Sequence, residues 1–195
     1  GSFGLTLARV DLTDNTSNWS TDQAGADNNG RNFKGTLNLN RLNKLTSKTN
    51  MLLKFNGQLA ADNLDGADQL SLGGPSAVRA YPSNEAAGDS GFVASVELKR
   101  NLFKNVESTL FYDYGKIKLH KSLWDNWNST NTGLKNNYHL QGYGVSVGIP
   151  IFNNFNINAS FARKISHNSG RDSSGNDVDG LNWQDRGLVS INGRF

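Results

Sequence analysis

The chain predicts an all-β fold of antiparallel strands long enough to cross a bilayer, and three observations carry that expectation. Apolar and polar residues alternate with period two through eight stretches of the sequence. The connections between those stretches switch between short turns and long loops rich in Asn, Ser, Asp and Gly. No run approaches the ~18 consecutive apolar residues that a membrane-crossing helix needs.

The stretches follow in order. Phe3, Leu5 and Leu7 alternate with Gly4, Thr6 and Ala8, before a long loop over 11–31. Phe33, Leu37 and Leu39 alternate with Lys34, Thr36, Asn38 and Asn40, and a short turn over 43–48 leads to Met51, Leu53, Phe55 and Leu59, set against Lys54, Asn56 and Gln58. A second long loop covers 62–91. Phe92, Ala94, Val96 and Leu98 then oppose Ser95, Glu97 and Lys99, with a turn over 101–105. Val106, Leu110, Tyr112 and Tyr114 oppose Glu107, Thr109, Phe111, Asp113 and Gly115, before a third long loop over 120–137. Tyr143, Val145, Val147 and Ile149 oppose Gly142, Gly144, Ser146 and Gly148, with a turn over 150–154. Phe155, Ile157, Ala159 and Phe161 oppose Asn156, Asn158, Ser160 and Lys164, before a fourth long loop over 168–182. Val189, Ile191 and Phe195 close the chain against Ser190, Asn192 and Arg194. No helical stretch is expected.

Short turns at one end of the strands and long loops at the other is the arrangement of an outer-membrane barrel. One strand face is Phe, Leu, Val, Ile and Tyr, suited to lipid; the other is Asn, Thr, Ser, Lys, Glu and Gly, suited to a wet interior. The stretches approach the ~9–11 residues that a tilted transmembrane strand requires. Tyr112, Tyr114, Tyr138, Phe155, Trp183 and Phe195 lie near strand ends, where aromatic girdles form. Alternation alone leaves a soluble β-sandwich with a polar outer face open, although a sandwich seldom needs every strand so long.

Composition excludes several classes. The net charge of +3 is small and dispersed, so no nucleic-acid partner is indicated. Cysteine is absent, which removes disulfides and thiolate metal sites. Asp172, Asp177 and Asp179 form an acidic loop, but their spacing matches no defined calcium loop and they read as solvated. Asp62, Asp65 and Asp68 read as turn-setting residues. His120, His139 and His167 are scattered and read as exposed, so no metal or other cofactor is expected. Trp124 and Trp127 read as interfacial anchors. Nothing resembles a nucleophile elbow or a paired-carboxylate hydrolase, so no enzyme activity is expected.

The 62–91 loop stands apart. It carries Leu72-Gly73-Gly74, then Val78-Arg79-Ala80-Tyr81-Pro82, Glu85 and Gly88-Asp89, and Glu97-Leu98 follows on the next strand. A second motif, Phe-x-Asp-x-Gly, falls at Phe111, Asp113 and Gly115. In this order and spacing the two motifs resemble the lid loop and barrel-wall signature of the two-partner secretion transporters (TpsB, haemolysin secretion/activation type) within the outer-membrane assembly superfamily. Ala80 departs from the Gly found in many superfamily members. The closing Phe195 resembles a barrel-insertion signal.

The resemblance implies a sixteen-stranded barrel whose last eight strands are residues 1–195, with the POTRA domains and plug helix lying outside this chain. It implies that the loop folds into the lumen and that Arg79 meets Asp113, with Gly73, Gly74, Val78, Ala80, Tyr81, Gly88 and Asp89 shaping the loop. Asp113 shares a strand face with Glu107 and Thr109, so it should point inward. An arginine fork can hold such a carboxylate through two parallel hydrogen bonds. On composition alone, Arg79 as a solvated loop residue and Asp113 as a free lumen charge is the competing reading. The implied function is export of a large unfolded exoprotein (adhesin, haemolysin or contact toxin) through the outer membrane of a Gram-negative bacterium, with outer-membrane lipid and barrel-assembly machinery as further partners. A barrel-insertion component, a plain porin, a small eight-stranded barrel and a soluble carbohydrate-binding sandwich are the rival readings.

Overall fold

The computed structural model describes residues 1–13, 16–103, 106–152 and 154–193. Eight long strands form one antiparallel sheet: β1 (Ser2–Val10), β2 (Gly30–Lys44), β3 (Thr49–Ala60), β6 (Ser90–Asn101), β7 (Glu107–Lys118), β8 (Asn137–Phe152), β9 (Phe155–Lys164) and β10 (Asp185–Gly193). Between β3 and β6 lies a two-residue ladder of β4 (Leu70–Ser71) and β5 (Ala87–Gly88). Every long strand pairs with its sequence neighbour, as a chain of hairpins requires. The sheet is open, with β1 and β10 at its two edges.

The alternation produces two unlike faces. The inner face, against which the 62–91 loop packs, carries Lys54, Gln58, Ser95, Glu97, Thr109, Phe111 and Asp113. Most of these side chains are buried beneath the loop. The outer face carries Leu5, Leu37, Leu59, Val96, Leu110, Val145 and Phe161, all exposed. A monomer in water does not leave so large an apolar area uncovered, whereas a barrel wall facing lipid does. The hydrophobic core lies between loop and wall: Leu72, Val78, Ala80 and Tyr81 from the loop meet Val93, Phe111, Ile117, Leu140 and Ala162 from the strands.

The structure corrects the sequence reading at two points of the fold. Residues Thr16–Gln23 of the first long loop form a short helix, α1, with no buried residue. A helix that packs on nothing needs no apolar stripe, so it leaves no periodic signal. Tyr138 belongs to the inner core rather than to a girdle; it has the strand parity of Leu140 and Gly142 and is 7% exposed. The residues at the turn around 104–105 and the terminal Phe195, read above as an insertion signal, lie outside the described residues.

Candidate functional site

The centre of the inner face is an ion pair that joins loop to wall. Arg79 Nε donates to Asp113 Oδ2 at 2.9 Å and Nη2 to Asp113 Oδ1 at 2.7 Å, while the Arg79 backbone N–H donates to Oδ2 at 3.1 Å. Ser95, paired directly across the ladder from Asp113, donates its hydroxyl to Oδ1. Asp113 is fully buried and the Arg79 side chain is 13% exposed. The carboxylate therefore has four donors, which is what a buried charge needs in place of water.

The guanidinium is held on two further sides. Its Cζ lies 3.4 Å from the centroid of the Phe111 ring, in cation–π contact. Its Nη2 reaches Glu97 Oε1 at 3.0 Å, and Lys54 Nζ meets the same oxygen at 2.8 Å. Lys99 Nζ stands 3.7 Å from Glu97 Oε2. Two buried carboxylates and three cations thus form one network across β3, β6, β7 and the loop. Removing one member of a buried pair typically costs ~3–5 kcal/mol, because its partner is left charged and unpaired. Beyond Arg79 a cavity of about 180 Å³ opens toward Pro75, Tyr81, Pro82, Trp183 and Arg186.

The wall is shaped to let the loop approach. A Cβ at Gly115 would meet Leu72 Cδ2 at 3.0 Å and Val78 Cγ2 at 3.2 Å, and one at Gly142 would lie 2.5 Å from Ala80 Cβ. Within the loop, Gly74 has φ +124°, which side-chain-bearing residues rarely adopt. Gly73 is pressed against the Pro82 carbonyl, so a methyl there has no room.

Two further anchors hold the ends of the loop. Asp89 is fully buried and accepts from Leu64 N at 3.2 Å, Gln69 Nε2 at 3.0 Å and Lys121 N at 2.7 Å, beside Gly88, which abuts the Lys118 carbonyl. It ties the base of the loop to the 119–136 loop. The second anchor sits on the far side. Glu85 accepts from Asn168 Nδ2 at 2.8 Å and Val178 N at 2.8 Å. Asn168 also donates to Asp177 at 3.1 Å, and Asp177 accepts from Lys164 Nζ at 2.5 Å and Arg186 Nη2 at 3.1 Å. Tyr81 donates its hydroxyl to the Ser166 carbonyl at 3.0 Å, with Lys164 Nζ 4.9 Å from its ring centroid. Glu85 forms no ion pair among the described residues, and burial raises its carboxyl above the ordinary 4.5.

Sequence reasoning picked Arg79, Asp113 and the motif residues packed around them but misread several residues of the other long loops. Asp177, read as solvated, is 4% exposed and bound by Lys164, Arg186 and Asn168. Asp172 serves its own turn, accepting from Ser174 N and Asn176 N, and Asp65 caps a single 3-10 turn through Ala67 N. His120, read as exposed, is half-buried with its ring 4.6 Å from Trp124 and 5.7 Å from Trp127; Trp127 packs on the core rather than at a lipid interface. Burial lowers the His120 pKa below the ordinary 6.5. His139 and His167 are exposed. Among the described residues no group of His, Asp and Glu is arranged to hold a metal ion.

A hairpin meander of long strands, apolar outside and polar within, with a loop fastened to its inner face, defines the wall of an outer-membrane β-barrel. A family model described as haemolysin secretion/activation protein ShlB/FhaC/HecB matches residues 9–148. The chain belongs to that family, the two-partner secretion transporters, whose members are outer-membrane barrel proteins of Gram-negative bacteria and not enzymes. It is 33% identical over 118 residues to the heme/hemopexin transporter protein HuxB of Haemophilus influenzae, covering 58% of this chain and 20% of that protein. HuxB of Haemophilus influenzae strain 86-028NP matches to the same extent. The chain thus spans about a fifth of the length of these curated relatives. The solved structure of CdiB from Acinetobacter baumannii shares the fold, with a TM-score of 0.58 and 18% identity over 84% of this chain and 27% of that one.

Proposed function

We propose that this chain is the C-terminal half of a sixteen-stranded outer-membrane pore that exports a large unfolded exoprotein, with the 62–91 loop as its lid. The observation that carries this reading is the buried, bidentate Arg79–Asp113 pair. A loop with no task inside a barrel would leave both groups to water; here the charges are desolvated and matched, so the loop has a defined seat from which it can be released. The lid motif residues Gly73, Gly74, Val78, Arg79, Ala80, Tyr81, Gly88 and Asp89 form that seat together with Phe111, Asp113 and Gly115.

The cargo class is an adhesin, haemolysin or contact toxin, taken across as an extended chain. Polar side chains of the inner face (Asn56, Lys54, Ser160) give such a chain hydrogen-bonding partners that bind no single sequence tightly. The barrel stands in outer-membrane lipid and reaches it through the barrel-assembly machinery. The test uses the full-length protein in a Gram-negative host with its cognate exoprotein. Arg79→Ala and Asp113→Ala should each cut secretion and change single-pore conductance in planar bilayers; unchanged secretion and conductance in both would end the lid reading.

A further inference from the structure

The outer face carries a feature that passage through the lumen does not use. Phe3, Leu37, Gly57, Phe92, Lys116 and His139 stand in one register row across six strands. In the neighbouring row Leu5, Gly35 and Leu59 align. Gly35 and Gly57 lack side chains where their neighbours project, which leaves a groove of about 360 Å³ walled by Phe3, Leu37, Leu59 and Phe92, with the Phe55 ring leaning over Gly57. From this groove a ladder of rings runs along the wall. Phe55 stacks on Phe92 at 5.6 Å, Phe92 meets Tyr114 in a tilted contact at 5.9 Å, and Tyr114 stacks on His139 at 5.7 Å.

The charge at the end of the row is one-sided. Lys116 is exposed on the outer face, directly across the ladder from Phe92, and makes no ion pair among the described residues. No Asp or Glu of the described residues points outward from β1, β2, β3, β6, β7 or β8. Gly57, Leu59, Phe92 and Lys116 lie toward the strand ends that enter the long loops, so in a barrel this part of the groove and the charge face the outer leaflet. A cation directed at lipid is costly unless an anionic headgroup meets it. Two strand spacings of ~4.8 Å separate Gly57 from Lys116, so about 10 Å lies between the groove and the charge.

We propose that this face holds one phosphorylated, multiply acylated glycolipid of the outer leaflet. One acyl chain fills the groove over Gly35 and Gly57, and a phosphate sits on Lys116 beside His139. A featureless apolar wall would exchange lipids freely; the gap and the bare ammonium, set one lipid-sized step apart, select a ligand with both parts.

The experiment places the full-length protein in phosphatidylcholine nanodiscs doped equally with diphosphoryl lipid A and phosphatidylglycerol, and counts retained lipids by native mass spectrometry. One lipid A per barrel, retained in preference to phosphatidylglycerol, is expected. Lys116→Gln and Gly57→Leu should each lower that retention roughly tenfold. Equal retention of phosphatidylglycerol reduces the site to a general anionic surface and overturns the proposal, as does wild-type retention in both variants. Lys116→Gln removes only an exposed charge, so it remains decisive if Gly57→Leu fails to fold, which heat-modifiable gel migration reports. The inference rests on the membrane reading, and a barrel that inserts and conducts but keeps no lipid A overturns the lipid site alone.

Discussion

Asn168 donates one hydrogen bond to Glu85 at 2.8 Å, joining the 62–91 loop to the last long loop across 83 residues of sequence. Its amide also reaches Asp177, so a single side chain separates two buried carboxylates. Asp177 is neutralised by Lys164 and Arg186, whereas Glu85 relies on neutral donors alone. Glu85 is therefore the member of this anchor that responds to pH.

Burial raises the Glu85 pKa, so the carboxyl holds its proton more tightly with the loop seated than with it free. Seating is strongest below the ordinary value of 4.5 and weakens as pH rises from there through the raised value. Pore-opening events in planar bilayers should become more frequent across that rise. In Glu85→Gln the dependence should flatten.

Arg79→Lys keeps the charge but loses the fork and the contact with Phe111. It should retain part of the seating free energy, whereas Arg79→Ala should lose ~3–5 kcal/mol of it. Hydrogen exchange over 72–86, compared among the three proteins, ranks wild type slowest and alanine fastest. Equal exchange in the lysine and wild-type proteins would show that geometry matters less than charge.

At Gly115 the wall is already in contact with Leu72 and Val78. Gly115→Val should overpack this spot and destabilise the seated loop by ~1–3 kcal/mol. Gly187→Val, on the edge strand with nothing within 4 Å of the new Cβ, should leave loop exchange unchanged.

His120 titrates in the opposite sense. Its ring meets Trp124 and Trp127 edge-on, and burial lowers its pKa, against a smaller opposing pull from Asp89. The packed 119–136 loop thus favours neutral imidazole; its stability is complete above the ordinary 6.5 and declines as pH falls toward the lowered value. Tryptophan fluorescence should report loosening over that interval, and His120→Gln should remove it.

Strand order, turn placement and the division of faces were legible because a pleated strand repeats every two residues and needs no distant information. Arg79 and Asp113 were legible through two local motifs that the fold sets in contact. Glu97 was read with the loop motif but given no partner, since an inward charge on a wet face looks ordinary until Arg79 and Lys54 both reach it. Asp177 looked solvated because its loop is Asp, Ser and Gly, and its charged partners Lys164 and Arg186 lie on the two flanking strands. Tyr138 was readable by parity with Leu140, but its place near a strand end suggested a girdle instead.

The hairpin order of the sheet bears on how the molecule assembles. Each ladder joins segments that follow one another along the chain, so the wall can zip up hairpin by hairpin without threading. The loop's fastenings instead reach past the strands that flank it, to Asp113 on β7 and, 93 residues away, to Val178. Closing those long circuits requires strands that already stand side by side, which makes docking of the loop the final act of maturation and the first contact undone under stress.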